Sequence, residues 1–258
     1  MTSSGSSPRS EPDPLRTRAS ALQLHGLLVH WNEAVAESWP AMLIGWEEQE
    51  RTRRSLERRL REAQIGRFKP ICDFDWSWPK SCDRTAIEAL ITLEFLTEAS
   101  NPILIGPNGV GKSMIAQNIA YQAVAAGHSV LFTTAGRLLG DLASLDSDAA
   151  LRRRLHHYSR PALLAIDEVG YLSYSNRHAD LMFELISRRY RKKSTLVTTN
   201  RSFSEWKEVF PSAACLVSLV DRLTHFAEII AIDGESYRVK EARERNEHRA
   251  RQRRPRKP

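Results

Sequence analysis

A glycine-rich segment from Gly106 to Ser113 has residue types and spacing suited to binding phosphate. It fits the pattern G-x-x-x-x-G-K-S/T, follows the apolar run Ile103 to Ile105 and precedes a stretch of helical character. Its backbone N–H groups can turn toward a phosphate, and the N-terminus of the helix adds partial positive charge. We predict an ATP site lined by Gly106, Pro107, Asn108, Gly109, Val110, Gly111, Lys112, Ser113 and Met114. In it, Lys112 contacts the β- and γ-phosphates and the Ser113 hydroxyl ligates Mg²⁺. The alternative is a glycine-rich turn that only precedes a helix.

Polar residues that could complete this site follow two later apolar runs. Asp167 and Glu168 come after Leu163 to Ile166, and ligands of open α/β sheets bind where strands end. We expect Asp167 to hold Mg²⁺, directly or through water, and Glu168 to polarise the attacking water. Asn200 follows Thr199 and is expected to orient that water. The alternatives are solvated loop acids and an asparagine that starts a turn.

Short apolar runs alternate with helical stretches through the middle of the chain. Five such runs are centred on residues 103–105, 130–132, 163–166, 196–199 and 229–232. This alternation predicts an α/β fold whose five-stranded parallel sheet lies between layers of helices.

Shifts in composition divide the rest of the chain. We expect a disordered lead at residues 1–14 and a small all-α domain at 15–67 for oligomerisation or DNA contact. An aromatic linker at 68–82, the α/β domain at 83–240 and a basic disordered tail at 241–258 follow. Within these, single helices are predicted at about 42–64, 83–99 and 113–126.

The overall composition is that of an ordinary globular protein. Of the 258 residues, 41% are hydrophobic and 27% are charged, and no apolar run is long enough to span a bilayer. The three cysteines form no C-x-x-C pair, which argues against a disulfide framework and a thiolate zinc site. We therefore expect a cytoplasmic protein without membrane contact.

The formal net charge of +7 arises at the C-terminal end of the chain. From Arg238 onward there are ten Lys or Arg and three Glu, whereas the remainder is balanced. Such a basic arm favours a polyanionic partner.

Three basic features are candidate DNA contacts. A helical stripe contains Arg51, Arg54, Arg58 and Arg61, although nearby glutamates also allow a solvated, ion-paired face. Lys192 and Lys193 belong to a cluster with Arg188, Arg189 and Arg191 at a predicted helix end, where the helix dipole alone could favour them. The arm from Arg249 to Lys257 is the third candidate.

These motifs together resemble a known family. The loop GPNGVGKS, the run LLAIDE, the strand end TTN and the segment LVDRL resemble AAA+ ATPases of the DnaA/DnaC clade. The segment from Ile232 to Arg238, IDGESYR, resembles the IstB-like helper ATPases encoded beside bacterial insertion-sequence transposases. The resemblance covers about residues 20–245.

The resemblance implies an AAA+ core and an ATP-dependent homo-oligomer with nucleotide sites at its subunit interfaces. It also implies binding to duplex DNA and assistance to the transposase in the bacterial cytoplasm. Arg222 would then reach the γ-phosphate of a neighbouring subunit; the alternative is a structural contact with Asp221 or with a surface helix.

Only 36 residues follow Arg222, which is too few for a four-helix C-terminal lid. The neighbouring subunit or the N-terminal part would have to cover the nucleotide. Phe74, Trp76 and Trp78 would flank the adenine or pin the linker to the core.

Three other functions are compatible with parts of this pattern. A DnaC-like replicative helicase loader shares most of the core, and a small-molecule phosphoryl transferase could use the same phosphate loop. A DNA-binding protein could use ATP only as an assembly signal. The acidic pair, the Arg222 segment and the basic arm argue against the transferase.

Overall fold

The computed structural model describes residues 13–171, 174–211 and 214–253, with side chains up to residue 247. The chain divides into two compact units, residues 1–58 and 59–258. Among the described residues, no helix is long and apolar enough to cross a membrane.

The described secondary structure is mostly helical around one sheet. The helices are α1 (Pro14–Ala21), α2 (His25–Val29), α3 (Trp31–Ala34), α4 (Trp39–Ala63), α5 (Arg84–Thr92), α6 (Glu94–Thr97), α7 (Lys112–Ala125), α8 (Ala135–Ala143), α9 (Asp148–Ser159), α10 (Asn176–Arg189), α11 (Trp206–Val209), α12 (Leu216–Thr224) and α13 (Tyr237–Arg253). Two 3-10 helices span Ile71–Asp73 and Phe203–Glu205. The strands are β1 (Ser81–Cys82), β2 (Asn101–Ile105), β3 (Val130–Thr134), β4 (Leu163–Val169), β5 (Ser194–Thr199) and β6 (Ala227–Asp233).

The first unit is a small helical cluster. Its buried core contains Ala19, Leu22, Trp31 and Ile44. One carboxylate oxygen of Asp13 caps α1 by accepting from the Leu15 N–H at 2.9 Å, and the other accepts from Trp31 Nε1 at 3.1 Å. Asp13 therefore joins the start of α1 to α3.

The boundary between the units lies inside α4, whereas the sequence predicted that the helical domain would extend to residue 67. The last turns of α4 belong to the second unit. Arg59 Nε donates to the carbonyl of Val124 at 3.3 Å, and Gln117 Nε2 donates to the carbonyl of Ile65 at 2.9 Å.

The second unit is built on a six-stranded sheet of order β1-β6-β2-β5-β4-β3. The five strands from β6 to β3 are parallel, as predicted, and β1 adds an antiparallel edge beside β6. Strand β2, which directly precedes the phosphate loop, thus lies inside the sheet between β6 and β5.

Helices pack against the two faces of this sheet. Because side chains alternate along a strand, Leu164 and Ile166 of β4 join a core with α8, α10 and α12. Leu163 and Ala165 of the same strand are equally buried, and α7 also packs against β4. A helical layer on each face confirms the predicted α/β class.

Two predicted segments differ in detail. The helix expected at 83–99 is broken at Leu93, whose left-handed backbone (φ 69°) ends α5 before α6 begins. The tail expected to be disordered is helical as far as Arg253. It has no core to bury, but it is rich in strong helix formers, and its first turn is anchored on the second unit. Residues 1–12 and 254–258 lie outside the described part.

Candidate nucleotide site

The phosphate loop connects the central strand β2 to the N-terminus of α7. Gly109 and Gly111 have left-handed backbones, with φ of 83° and 101°. A Cβ atom at Gly109 would overlap the side chain of Ser236, and one at Gly111 would overlap the ring of Phe74. Glycine is therefore required at both positions for conformation and for space.

Lys112 is buried at the start of α7. Its Nζ donates to the carbonyls of Gly106 at 2.7 Å and of Pro107 at 2.8 Å. Burial lowers the pKa of Lys112 and Arg238 lowers it further, whereas Asp167 and Glu168 oppose the shift. The ammonium group is thus held by its own loop, next to the two acids.

The two acids lie at the C-terminal end of β4, as predicted, but their environments differ. Asp167 is buried, and its Oδ1 accepts from the Ser113 hydroxyl at 3.0 Å and from the Thr198 hydroxyl. Glu168 is exposed in the cavity and has a left-handed backbone, with φ of 62°. The Ser113 hydroxyl and the Asp167 carboxylate are hard oxygen donors, which suits Mg²⁺ held jointly with phosphate oxygens.

Asn200 follows β5 and faces the same cavity. Its Oδ1 is buried and has no hydrogen-bond partner within the described structure. A buried acceptor without a partner is costly, so it is poised to interact with a ligand or water.

The side chains of Lys112, Ser113, Asp167, Glu168 and Asn200 line one cavity of about 420 Å³, whereas Gly106 and Pro107 do not line it. This volume is within the usual range for small-molecule sites. The structure brings together the sequence-predicted residues Asn108 to Met114, Asp167, Glu168 and Asn200. It adds residues from the linker and from the start of α13: Lys69, Asp73, Phe74, Asp75, Trp78, Pro79, Tyr237, Arg238 and Glu241.

The start of α13 is fastened to the linker over the phosphate loop by a group that we call the clasp (Asp75, Trp78, Tyr237 and Lys240). The Tyr237 N–H donates to the carbonyl of Gly109 at 2.9 Å, and Trp78 Nε1 donates to the carbonyl of Glu235 at 2.9 Å. Lys240 Nζ pairs with Asp75 at 3.0 Å and lies 4.3 Å from the centre of a Trp78 ring. Hydrogen bonds from Ser77 and then Lys240 lower the pKa of Asp75, and the bond to Asp75 raises the pKa of Lys240.

The structure shows one of the two roles considered for the linker aromatics, contact with the core, whereas contact with adenine stays a prediction. Phe74 and Trp78 line the cavity, and they also hold the linker to the core. The segment containing Tyr237 and Arg238 resembles the IstB-like family in sequence, but no site residue was predicted in it. Only its distinctive composition could have drawn attention to it.

Comparison with known proteins identifies the family. The family described as "IstB-like ATP binding protein" matches residues 17–245. This chain belongs to the IstB-like family. The ATP-binding protein of insertion sequence IS21 from Pseudomonas aeruginosa is 38% identical over 193 residues, which cover 75% of this chain and 73% of that protein. An insertion-sequence ATP-binding protein from Mycobacterium tuberculosis is 32% identical and covers 88% of this chain and 94% of its own length.

Solved structures share the AAA+ fold of this IstB-like protein. The crystal structure of DnaI has a TM-score of 0.54 at 18% identity and covers 67% of this chain and 92% of that one. The replication initiator DnaA, bound to AMPPCP and single-stranded DNA, has a TM-score of 0.52 at 16% identity and covers 68% and 56% of the two chains. The predicted AAA+ core and the ATP-binding character are thereby confirmed. After α12 the described chain continues with β6 and α13.

Arg222 of this IstB-like protein does not line its own cavity. It lies on α12, donates to the hydroxyl of Ser187 on α10 and lies 4.6 Å from the centre of the Phe183 ring. Within one chain, Arg222 therefore contacts a neighbouring helix, which was the alternative to a role at the γ-phosphate of another subunit.

The basic candidates are placed in several environments. Arg51 and Arg54 pair with Glu47 and Glu50, at 3.4 Å and 2.6 Å, while Arg58 and Arg61 are exposed. Lys192 is exposed, whereas Lys193 donates to the carbonyl of Arg160. The side chains of the arm from residue 249 to 257 lie outside the described part.

One member of the second cluster, Arg189, is buried. It is 1% exposed, so it forms part of the interior and is not available as a DNA contact.

Proposed function

We propose that this IstB-like protein hydrolyses ATP with Mg²⁺. The observation that carries the proposal is the convergence of Lys112, the Ser113–Asp167 pair, Glu168 and Asn200 on one cavity. Aromatic Phe74 and Trp78 in the lining of the cavity support a nucleotide base as part of the ligand, and we propose ATP.

Each side chain has a defined task in this mechanism. Lys112 binds phosphate oxygens, and its ammonium offsets the charge that develops during phosphoryl transfer. Ser113 and Asp167 would hold Mg²⁺, which supplies further charge neutralisation when bound. Glu168 accepts a hydrogen bond from the attacking water and the Asn200 amide orients it, so that the lone pair of the water faces the γ-phosphate.

We further propose that hydrolysis depends on assembly. Arg222 is half-buried on the surface helix α12 and does not line its own cavity, so a neighbouring copy is the site it could serve. A guanidinium contributed by another subunit would stabilise transition-state charge only after oligomerisation.

The proposed partner is duplex DNA, and the proposed role is assistance to an insertion-sequence transposase in the bacterial cytoplasm. The relatives named from insertion sequences support this context. Exposed Arg58, Arg61 and Lys192 would contribute to backbone contacts, together with the basic arm. Because phosphate contacts release counterions, such binding would weaken as salt increases.

The test uses the full chain and measures phosphate release together with particle mass in solution. Both are measured with and without duplex DNA at about 50 mM and 200 mM salt. We expect ATP-dependent particles whose turnover rises with duplex and falls with salt. Lys112→Ala should lose ATP binding, Glu168→Gln should bind ATP without turnover, and Lys207→Ala, an exposed lysine outside the site, should match the unmodified chain.

Two results would contradict the proposal in different ways. An unmodified chain that binds ATP but never releases phosphate would refute hydrolysis. A persistent monomer indifferent to duplex, or one stimulated only by single strands, would refute the transposition role and favour a helicase loader.

A further inference from the structure

The two acids of the site lie on an irregularity of the sheet. Strands β4 and β5 pair Ile166 with Val197 and then Val169 with Thr199. Two residues of β4, Asp167 and Glu168, therefore lie opposite one residue of β5, Thr198. This arrangement is a β-bulge, and bulges next to active sites redirect side chains.

The bulge separates the environments of the two carboxylates. Asp167 remains buried beside Ser113, whereas the left-handed backbone of Glu168 presents its side chain to the cavity. A non-glycine residue in this conformation is strained and persists only where neighbouring groups hold it. The structure therefore needs a contact that fixes the Glu168 backbone.

The hydroxyl of Thr198 makes that contact with Glu168 and also contacts Asp167. Thr198 Oγ1 accepts from the Glu168 N–H at 3.0 Å and donates to Asp167 Oδ1. A hydroxyl has one proton and two lone pairs, so it can make both bonds at once. Thr198 is 1% exposed, so water does not readily replace either bond.

We infer that Thr198 is a positioning residue for ATP hydrolysis, acting through Asp167 and Glu168. Its hydroxyl orients the carboxylate that would hold Mg²⁺ and fixes the bulge that presents the other carboxylate to water. This inference rests on the proposed hydrolysis. From the sequence, Thr198 was predicted only as part of the end of a strand.

The test compares two substitutions at this position in the full chain. Thr198→Val keeps the branched shape and removes the hydroxyl, whereas Thr198→Ser keeps the hydroxyl. We expect Thr198→Val to lower kcat by about 10- to 100-fold, the usual range for groups that orient metal ligands, with little change in the KM for ATP. Thr198→Ser should restore most of the rate.

A second readout is independent of turnover. Mn²⁺ binding to each variant with a non-hydrolysable ATP analogue is followed by electron paramagnetic resonance. Thr198→Val should weaken Mn²⁺ binding by about tenfold or more, because the Asp167 carboxylate loses a fixing bond. Affinity for the analogue without metal should stay near that of the unmodified chain.

The matched control is Thr195→Val on the same strand. Thr195 is also buried, but its hydroxyl contacts Arg189 and neither acid. We expect this variant to lose stability in urea yet to keep its kcat and Mn²⁺ affinity per folded molecule.

The outcomes separate this inference from the proposed function. Thr198→Val with unchanged kcat and Mn²⁺ affinity would overturn the inference, as would equal losses in Thr198→Val and Thr195→Val. If Thr198→Val does not fold, Thr198→Ala is compared with Thr198→Ser on the same criteria. An unmodified chain without turnover would overturn hydrolysis, while the Mn²⁺ measurement would still test the contact between Thr198 and Asp167.

Discussion

Substitution of Arg189 would distinguish an interior arginine from a DNA-binding one. Arg189 ends α10 in a basic cluster, yet its side chain is directed into the protein and is 1% exposed. Burial lowers its pKa to about 9, so the guanidinium is still charged at neutral pH. It donates to the carbonyls of Tyr158, Ser159, Pro161, Ala162 and Ser194 and to the Thr195 hydroxyl.

The expected loss follows from these contacts. Arg189→Met keeps much of the side-chain length and removes every donor. The bonds to Ser159, Pro161 and Thr195 measure 3.1, 2.9 and 3.0 Å, and leaving a buried acceptor unpaired costs about 1–3 kcal/mol. Methionine carries no charge, so the variant avoids the cost of burying one, and this gain offsets part of the cost of the unpaired acceptors. We expect a net loss of about 3–5 kcal/mol in the free energy of unfolding.

The assay is urea unfolding followed by tryptophan fluorescence, to which buried Trp206 contributes, with Arg188→Met as the matched control. Arg188 pairs with Glu184 on the same helix in a partly exposed ion pair, so its loss should cost less than about 1 kcal/mol. Equal urea midpoints for the two variants would refute the reasoning. An Arg189→Met protein with normal stability but weaker DNA binding would show that Arg189 contacts DNA.

Two further predictions concern the nucleotide site. Asp75→Lys and Lys240→Asp should each weaken ATP binding by about two- to fivefold, because a partly exposed pair is worth at most about 1 kcal/mol, and the double exchange should recover part of the loss. Isothermal titration of the three variants measures this, and a double variant no better than the singles would show that the ion pair is not what holds the clasp. Arg222→Ala should keep ATP binding but lose DNA-stimulated turnover by at least about 100-fold, and mixing it with Glu168→Gln subunits should restore part of the rate. If Ser187→Ala, which removes the Arg222 contact within the chain, caused the same loss and mixing restored nothing, Arg222 would act within its own subunit.

The phosphate loop and the strands could be predicted because their signals are local. The loop needs only its own glycines, lysine and serine between a strand and a helix, and the five parallel strands are short apolar runs. The acids at the end of β4 were placed correctly for the same reason, since a strand end in this fold is a ligand edge.

Features that depend on pairing between distant segments could not be predicted. The Asp75–Lys240 pair joins residues 165 positions apart, and the contribution of Thr198 depends on the exact register of β4 and β5. Arg188 and Arg189 are identical in type and adjacent, and only the packing of α10 decides which one is buried. The tail was expected to be disordered because its composition contains few apolar residues. Composition does not show that contacts of its first turn, such as the ion pair between Lys240 and Asp75, anchor α13.

The segment from Ile232 to Arg238 fits closely against the phosphate loop. Ser236 occupies the space that a side chain at Gly109 would need, and the N–H of Tyr237 donates to the carbonyl of that same glycine. The phosphate loop and this segment are therefore complementary in shape and in hydrogen bonding. A substitution in either segment alters the other, because a Cβ at position 109 would displace α13 and with it Arg238 and Glu241 from the cavity. Tyr237 and Arg238 of this segment thus line the same cavity as the phosphate loop, and the fit between the two segments links their sequences.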